Sequence, residues 1–258
     1  MGEVLKERRK YKRIKLGFPV NIKVKDTNRE YVGNTLNISA GGMAVALNTF
    51  LPLGKNLLLT FKIQEGLVFE NISAKILRVN DIEDKFVLGL EFLNMTSEYI
   101  EKINNFVDSI YFIKRIKLFS NITDEEALYL KNIAKNISFK EGDIIFKEGS
   151  EGDAFYAVVS GKVRITKKSH LKESSEEVLA LIREGEFFGE MALFDEGERT
   201  ASAIAHTDTL LFVITADDFN KMMIDNHKLV IKILLEFIRT LSRRLKTMDQ
   251  EMVDLLFG

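Results

Sequence analysis

Glycines that recur between short segments constrain the fold of the second half of the chain more than any other feature. They lie at Gly142, Gly149, Gly152, Gly161 and Gly185 and separate a series of short segments. Glycine adopts the backbone angles of tight turns at little steric cost, and short segments between such turns are typical of β-strands. We therefore predict that this half is built from short strands joined by tight turns.

A distinctive stretch, FGEMALFDEGERTASA at Phe188–Ala203, follows these strands. Gly189 would let a ligand approach the backbone, and Glu190 can accept hydrogen bonds from hydroxyl groups. Met191 to Phe194 is predicted to form one helical turn, whose first amide N–H groups are unpaired and can face an anion. Arg199 would supply a positive charge with a fork geometry that suits phosphate oxygens. The stretch therefore predicts a site for a ligand that carries a sugar hydroxyl and a phosphate.

The same stretch resembles the phosphate-binding cassette of the cyclic-nucleotide-binding domain family, which includes the catabolite activator protein. In that family the glutamate accepts a hydrogen bond from the ribose 2′-hydroxyl, the arginine pairs with the cyclic phosphate, and neighbouring amides complete the cradle. The resemblance implies a set of residues that bind a cyclic mononucleotide: Gly189, Glu190, Met191, Ala192, Arg199, Thr200 and Ala201. The alternative is a surface strand, turn and strand with an unrelated glutamate and arginine.

Two neighbours of the arginine bear on the choice of ligand. Family members with threonine after the arginine often favour cGMP, whereas serine more often accompanies cAMP, so Thr200 leaves both nucleotides open. Glu198 departs from the family pattern, in which a proline or a basic residue is common. Its negative charge is expected to weaken phosphate binding.

The first part of the chain shows alternation of apolar and polar residues with a period of two. The pattern occurs over 20–24, 57–63 and 86–92, with turn residues between these segments. Period-two alternation indicates strands with one buried face. A small all-β unit is therefore predicted, and closure into a barrel is the expected arrangement.

Two motifs accompany these strands, a basic arm with Arg9-Lys-Tyr-Lys-Arg13 preceded by Arg8, and Asn37-Ile-Ser39-Ala-Gly41-Gly42. Together they resemble the RxxxR and [D/N]xSxxG motifs of the PilZ family, over Glu7 to about Leu93. That family uses them to bind cyclic di-GMP, whose phosphates and guanine edges both match arginine forks. The implied binding residues are Arg8, Arg9, Arg13, Asn37, Ser39 and Gly42. The arm could instead contact nucleic acid phosphates or only solvent.

Two helices are predicted outside the strands. Thr96 or Ser97 can cap the first, which has an apolar face from Ile100 to Ile113. The second begins near Asn226 and carries a heptad seam, typical of a coiled coil. The seam residues are Ile231, Leu234, Ile238, Leu241, Leu245, Met248, Met252 and Leu255. We expect a homodimer through this helix, with Arg244 and Asp249 paired across chains; Arg239, Thr240, Ser242 and Arg243 are candidate base contacts.

Composition excludes several classes of site. The 37 basic and 38 acidic residues nearly cancel, so any electrostatic signal must be local. The chain has no cysteine and three scattered histidines, which offers no metal-ligand spacing, and we expect no metal and no cofactor. No apolar run reaches the about 18 residues that span a bilayer, and no secretory leader is apparent. We expect a cytoplasmic protein without a membrane segment.

The predicted fold class is mainly β with α. It comprises an N-terminal six-stranded PilZ-like β-barrel at 1–95, a connector helix at 96–118, and a cyclic-nucleotide-binding β-roll with flanking helices and a long C-terminal helix at 119–258. The implied function is a bacterial, non-catalytic second-messenger receptor that binds cyclic di-GMP and either cAMP or cGMP and signals to an unidentified downstream protein. The alternatives are a dimerising adaptor with one or both sites degenerate, and a regulator that acts on nucleic acid through its basic arm. No DNA-binding domain is expected, because no helix-turn-helix pattern follows the long helix.

Overall fold

The computed structural model describes residues 10–82, 84–168, 176–194 and 198–257 and divides into two compact units. The first contains the described residues up to Tyr111 together with Thr123–Glu125. The second contains Phe112–Ile122 and the described residues from Glu126 onwards. The domain boundaries predicted from the sequence, at 95/96 and 118/119, remain predictions.

The first unit is a closed barrel of six antiparallel strands in the order β1-β2-β3-β6-β5-β4. The strands are β1 Pro19–Val24, β2 Glu30–Ser39, β3 Gly42–Leu47, β4 Asn56–Gln64, β5 Leu67–Ile82 and β6 Lys85–Phe92. Side chains that alternate along β1 fill the interior, where Phe61 stacks against Phe18, Phe69 and Phe92. The predicted six-stranded barrel is confirmed.

Helix α1, Ser97–Arg115, begins where the sequence places a cap. The hydroxyl of Thr96 accepts a hydrogen bond from the Tyr99 amide at 3.2 Å, which satisfies one of the donors left unpaired at a helix start. The Tyr99 ring packs edge-on against Phe69 of the barrel, with centroids 5.2 Å apart. The predicted apolar face contains the buried residues Ile103, Phe106, Ile110 and Ile113.

The second unit is a β-roll of two four-stranded sheets, with strand orders β11-β10-β13-β8 and β12-β9-β14-β7. Its strands are β7 Lys135–Phe139, β8 Ile144–Phe146, β9 Ala154–Ser160, β10 Lys162–Lys168, β11 Glu176–Arg183, β12 Phe187–Phe188, β13 Ser202–Ala205 and β14 Thr209–Thr215. Four of the five glycines named above have positive φ. At Gly161, between β9 and β10, a Cβ atom would lie 2.4 Å from the Asp208 carbonyl oxygen, so the turn requires glycine.

Helices flank the roll. They are α2 Asp124–Ile133, α3 Ala216–Asp225 and α4 His227–Phe257, with short 3₁₀ turns at Lys117–Phe119 and Glu190–Leu193. Thr215 caps α3 by accepting a hydrogen bond from the Asp218 amide at 3.1 Å. The predicted β-roll with flanking helices and a long C-terminal helix is confirmed.

Helix α4 changes its surroundings along its length. Its first turns are packed through Leu229, Ile233 and Phe237, whose ring lies 4.8 Å from that of Phe187. Lys232 Nζ bonds the buried Glu126 carboxylate at 2.6 Å. Six residues of the predicted heptad seam are between 41% and 61% exposed: Ile231, Ile238, Leu241, Leu245, Met248 and Met252. The helix therefore has an anchored first third and an apolar stripe open to solvent.

Over the ranges given above, no helix is long and apolar enough to cross a membrane. In the same ranges, no cluster of three or more histidine, aspartate or glutamate side chains could hold a metal ion.

Candidate functional site

The centre of the candidate site is the connection after β12. Gly189 has φ 74° and caps the 3₁₀ turn Glu190–Leu193. The positive φ favours glycine at this position, and a Cβ atom there would lie 3.0 Å from Arg199 Nη1, a tight contact that would require the arginine to shift. The predicted helical turn is present, but it starts one residue earlier and is of 3₁₀ type. Glu190 consequently lies inside the turn.

Glu190 is a buried carboxylate, with 4% of its surface exposed. Burial raises its pKa, while a hydrogen bond from its own backbone amide and the positive charge of Arg244 act in the opposite direction. Arg244 donates from Nη1 to Glu190 Oε1 at 3.1 Å and from Nη2 to the Phe187 carbonyl oxygen at 2.7 Å. The buried charge thus has a fixed partner on helix α4.

Arg199 is a buried cation, 6% exposed, held mainly by backbone acceptors. Its Nη2 donates to the Ala154 carbonyl oxygen at 2.8 Å, and its Nη1 to that of Gly189 at 3.2 Å. The guanidinium also lies over the Phe146 ring, 4.2 Å from the centroid. Its Nε–H is buried without a hydrogen-bond partner. A buried unpaired donor is costly, so this group is a candidate contact for an anion.

Glu190 and Arg199 line the same cavity, whose volume is about 530 Å³. Its walls come from the 3₁₀ turn, from the strands and from helix α4. The residues predicted to bind a mononucleotide that line it are Gly189, Glu190, Met191, Arg199, Thr200 and Ala201. Ala192 lies in the turn, and its side chain is outside the described residues. Cavities of this size hold ligands of a few hundred daltons.

Helix α4 closes one side of the cavity. Thr240 and Arg243, two of the candidate base contacts, line it together with Arg244 and Thr247. Arg239, a third candidate, forms an ion pair with Glu236. Glu198, the residue that departs from the family pattern, also lines the cavity.

Arg244 lines the cavity and has a partner in its own chain that the sequence did not predict. The heptad pattern predicted a pair with Asp249 of a second chain, whereas the structure gives Arg244 a partner in its own chain, 54 residues away. Periodicity within one helix carries no information about such a distant contact. No signal in the sequence points to it.

On the barrel, the chain pairs antiparallel with β2 at Ile14, directly after Arg13. Ile14 and Ile38 exchange two backbone hydrogen bonds of 3.1 Å and 3.0 Å. A Cβ atom at Gly41 would lie 2.9 Å from the Tyr11 ring, so this ring packs directly on the second motif. The structure therefore brings the described part of the arm, including Arg13, next to the Asn37–Gly42 segment. Arg8 and Arg9 lie outside the described residues.

The residues of the second barrel motif differ in what they contact. Ser39 Oγ donates to the Gly42 carbonyl oxygen at 3.2 Å. A Cβ atom at Gly42 would lie 2.0 Å from the Leu90 carbonyl oxygen, so strand packing alone requires glycine there. Asn37 Oδ1, by contrast, is buried and has no hydrogen-bond partner. Two of the three motif residues thus have local structural roles, and Asn37 has an unsatisfied acceptor.

The β-roll of the second unit holds a buried glutamate and a buried arginine on one cavity, an arrangement typical of a ligand-binding domain. Residues 136–226 match the family described as the cyclic nucleotide-binding domain, and residues 7–109 match the family described as the PilZ domain. The chain carries a PilZ domain followed by a cyclic nucleotide-binding domain. Both families are ligand-binding regulatory domains.

Curated relatives match the second half. The cyclic AMP receptor protein of Thermus thermophilus is 40% identical over 148 residues, which are 56% of this chain and 63% of the relative. The cGMP-dependent protein kinase egl-4 of Caenorhabditis briggsae is 27% identical over 117 residues, or 45% of this chain and 16% of the kinase. The chain thus spans less than two thirds of either relative.

The fold of the second half also occurs in a solved structure. A cyclic nucleotide-binding domain from Methylobacillus flagellatus is 23% identical and has a TM-score of 0.51. The match covers 60% of this chain and 85% of that domain. At this identity the similarity shows a shared fold.

Proposed function

We propose that the chain is a non-catalytic second-messenger receptor of the bacterial cytoplasm. It binds cAMP or cGMP in the cavity beside helix α4 and cyclic di-GMP on the PilZ barrel. The observation that carries the first part is the presence of a buried carboxylate and a buried arginine with an unpaired N–H in one cavity of about 530 Å³. A ligand with a hydroxyl and a phosphate complements both groups.

In this proposal each group of the cavity has one role. Glu190 accepts a hydrogen bond from the ribose 2′-hydroxyl, and Arg199 pairs with the cyclic phosphate. The backbone amides of Gly189, Met191, Ala192 and Ala201 complete the cradle, and Thr200 contacts the phosphate or the base. The names of the relatives, one a cyclic AMP receptor and one a cGMP-dependent kinase, support both mononucleotides.

The barrel site, like the cavity, contains a buried polar atom without a hydrogen-bond partner. Asn37 Oδ1 is a buried acceptor without a partner, and the exocyclic amino group of guanine is a donor that complements it. Arg8, Arg9 and Arg13 would supply forks for the phosphates and for the O6 and N7 atoms of guanine. Ser39 and Gly42 would shape the turn beneath the ligand.

The output is proposed to be a conformational change passed to a protein partner from a homodimer. The support for the dimer is the solvent-exposed seam on α4, which includes Ile238, Leu241 and Leu245. Contiguous apolar stripes of this length at heptad spacing are typical of coiled-coil contacts. A parallel pair of α4 helices would bury the seam.

Calorimetric titration tests both sites. We expect heat with cyclic di-GMP and with at least one of cAMP and cGMP in the unaltered protein. Arg199→Ala should weaken mononucleotide binding by about 100-fold and leave cyclic di-GMP binding unchanged, and Arg9→Ala should weaken cyclic di-GMP binding and leave mononucleotide binding unchanged. Arg183→Ala, which removes an exposed arginine of the same roll, is the matched control for Arg199→Ala. No heat with either mononucleotide at millimolar concentration would refute the proposal for the second domain.

A dimerising adaptor with a degenerate barrel site is the second candidate. It is favoured by Ser39 and Gly42, whose contacts within the barrel require no ligand. Its signature would be mononucleotide binding without any heat from cyclic di-GMP. Binding of duplex DNA or RNA that Arg9→Ala abolishes would instead favour the role of the basic arm in contacting nucleic acid.

A further inference from the structure

Three aromatic side chains lie close together beside the candidate site. Phe146 is the last residue of β8, Tyr156 lies on β9, and Phe188 ends β12. Tyr156 and Phe188 are opposite each other on paired strands, and their rings stack with centroids 5.1 Å apart. The Phe146 ring lies 5.6 Å from that of Tyr156 and 5.9 Å from that of Phe188. The three rings form an aromatic cluster with members from both sheets of the roll.

The guanidinium of Arg199 lies against this aromatic cluster. Its Cζ atom is 4.2 Å from the Phe146 centroid and 5.7 Å from the Tyr156 centroid. Both distances fall within the about 6 Å over which a cation is attracted to the face of a ring. The attraction is stronger where water is excluded, and Arg199 is buried. The two rings therefore stabilise the cation in its buried place.

The rings and the hydrogen bonds of Arg199 restrict different motions. The bonds from Nη1 to the Gly189 carbonyl oxygen and from Nη2 to the Ala154 carbonyl oxygen fix directions within the guanidinium plane. Arginine stacks on aromatic faces, and a ring in contact with one face of the guanidinium limits rotation out of that plane. The charged group is thus held in one orientation without a ligand.

An arginine that is held in this way should bind a phosphate more tightly, for two reasons. A long side chain loses rotamer freedom when a ligand immobilises it, and here that loss has already occurred in the free protein. The rings also keep water from the guanidinium face, and opposite charges attract more strongly in a medium of low dielectric constant. Phe146 lines the same cavity as Arg199 and Glu190, so its ring is part of the wall that the ligand would meet.

We propose that Phe146 and Tyr156 are positioning residues, which fix the Arg199 guanidinium in the orientation that receives the phosphate of the nucleotide. This role rests on the proposed mononucleotide site. The two rings affect affinity through Arg199, although the Phe146 ring itself lines the cavity. A direct contact between Phe146 and the ligand would instead act independently of the arginine.

A double-mutant cycle separates these two routes. Calorimetry with cAMP and cGMP is performed on the unaltered protein, Phe146→Leu, Arg199→Ala and the variant with both replacements. Phe146→Leu removes the ring and keeps an apolar side chain, and it should raise Kd by about 10-fold. In the Arg199→Ala protein, which has no guanidinium to position, the same replacement should change Kd by less than about twofold.

Three further variants separate positioning from a general loss of structure. Phe146→Tyr keeps a ring over the guanidinium and should hold Kd within about threefold of that of the unaltered protein. Phe139→Leu is the matched control, because it removes another half-buried ring that packs against the same core residues, and it should leave Kd unchanged. Phe146→Met keeps most of the apolar volume without a ring and takes the place of Phe146→Leu in the cycle if that variant does not fold.

Three results would overturn the inference. They are an unchanged Kd in Phe146→Leu, an equal rise of Kd in Phe139→Leu, or a rise in the Arg199→Ala protein as large as in the unaltered one, which would indicate a direct contact of Phe146 with the ligand. Binding by the unaltered protein together with any of these results would refute the positioning role alone. A failure of the unaltered protein to bind either nucleotide would refute the proposed function, and the positioning role with it.

Discussion

Replacement of Arg199 by alanine should affect both the stability of the β-roll and its response to ligand, and the two effects can be measured separately. The side chain is buried and donates to the carbonyl oxygens of Ala154 and Gly189. A buried acceptor that loses its donor costs about 1–3 kcal/mol. With two acceptors affected, the unliganded variant should lose about 2–4 kcal/mol of its free energy of unfolding.

The effect on ligand binding follows from the phosphate contact. Loss of two charge-assisted hydrogen bonds, at about 1.5 kcal/mol each, raises Kd by about 100-fold. At a nucleotide concentration of about 100 times the original Kd, the unaltered protein gains about 2.7 kcal/mol from its ligand. At the same concentration the variant should gain about 0.4 kcal/mol.

Urea unfolding with and without nucleotide measures both quantities. Arg183→Ala is the control, because it removes an exposed arginine from β11 of the same roll. It should leave the stability and the ligand response close to those of the unaltered protein. An Arg199→Ala variant that still gains about 2 kcal/mol or more from nucleotide would refute the assignment of Arg199 to the phosphate.

Three further outcomes are expected. Leu241→Asp places a charge in the exposed seam of α4 and should give a monomer by light scattering. The control Lys246→Asp should remain a dimer. A Leu241→Asp variant that is still a dimer would locate the interface elsewhere. Gly42→Ala should lower the free energy of unfolding in urea by about 3 kcal/mol or more, because its Cβ would overlap the Leu90 carbonyl. Gly54→Ala, at a positive φ with open space around it, should lower it by about 1 kcal/mol. Equal losses in the two variants would contradict the role of this overlap. The raised pKa of Glu190 means that the folded state binds its proton more tightly than the unfolded state, so this group's contribution to stability falls as pH rises from its ordinary 4.5 through the folded value. Glu190→Gln should therefore gain stability relative to the unaltered protein over that range, and a pH-independent difference would be evidence against the shift.

The sequence predicted the elements whose pattern is regular. Along β1 the buried residues Val20, Ile22 and Val24 alternate with exposed or half-buried neighbours, and the strand lies where it was expected. Strand β5 lacks this strict alternation of buried and exposed residues. Its buried residues step from Phe69 to Ile72, because Asn71 has a positive φ and the register with β4 shifts there.

In the cavity, too, the residues that lie close together in the sequence could be predicted, whereas contacts between residues far apart in the sequence could not. The motif around Gly189 and Arg199 predicted side chains that the structure does bring together on one cavity. Arg244 could not be predicted, since its contact with Glu190 depends on how α4 lies across the roll. The unpaired Nε–H of Arg199 is likewise a result of packing, since the motif specifies an arginine and not which of its donors are used.

The uneven anchoring of α4 gives this helix the properties of a lever. Its fulcrum lies at the packed turns around Lys232 and Phe237, and Phe257 is the last residue of the arm. At 1.5 Å per residue, the 20 residues beyond Phe237 extend about 30 Å. A tilt of about 5° at the fulcrum would move the far end by about 3 Å. Because Arg244 lies about one third of the way along the arm, a shift of a few tenths of an ångström at Glu190 would be multiplied about threefold at the tip.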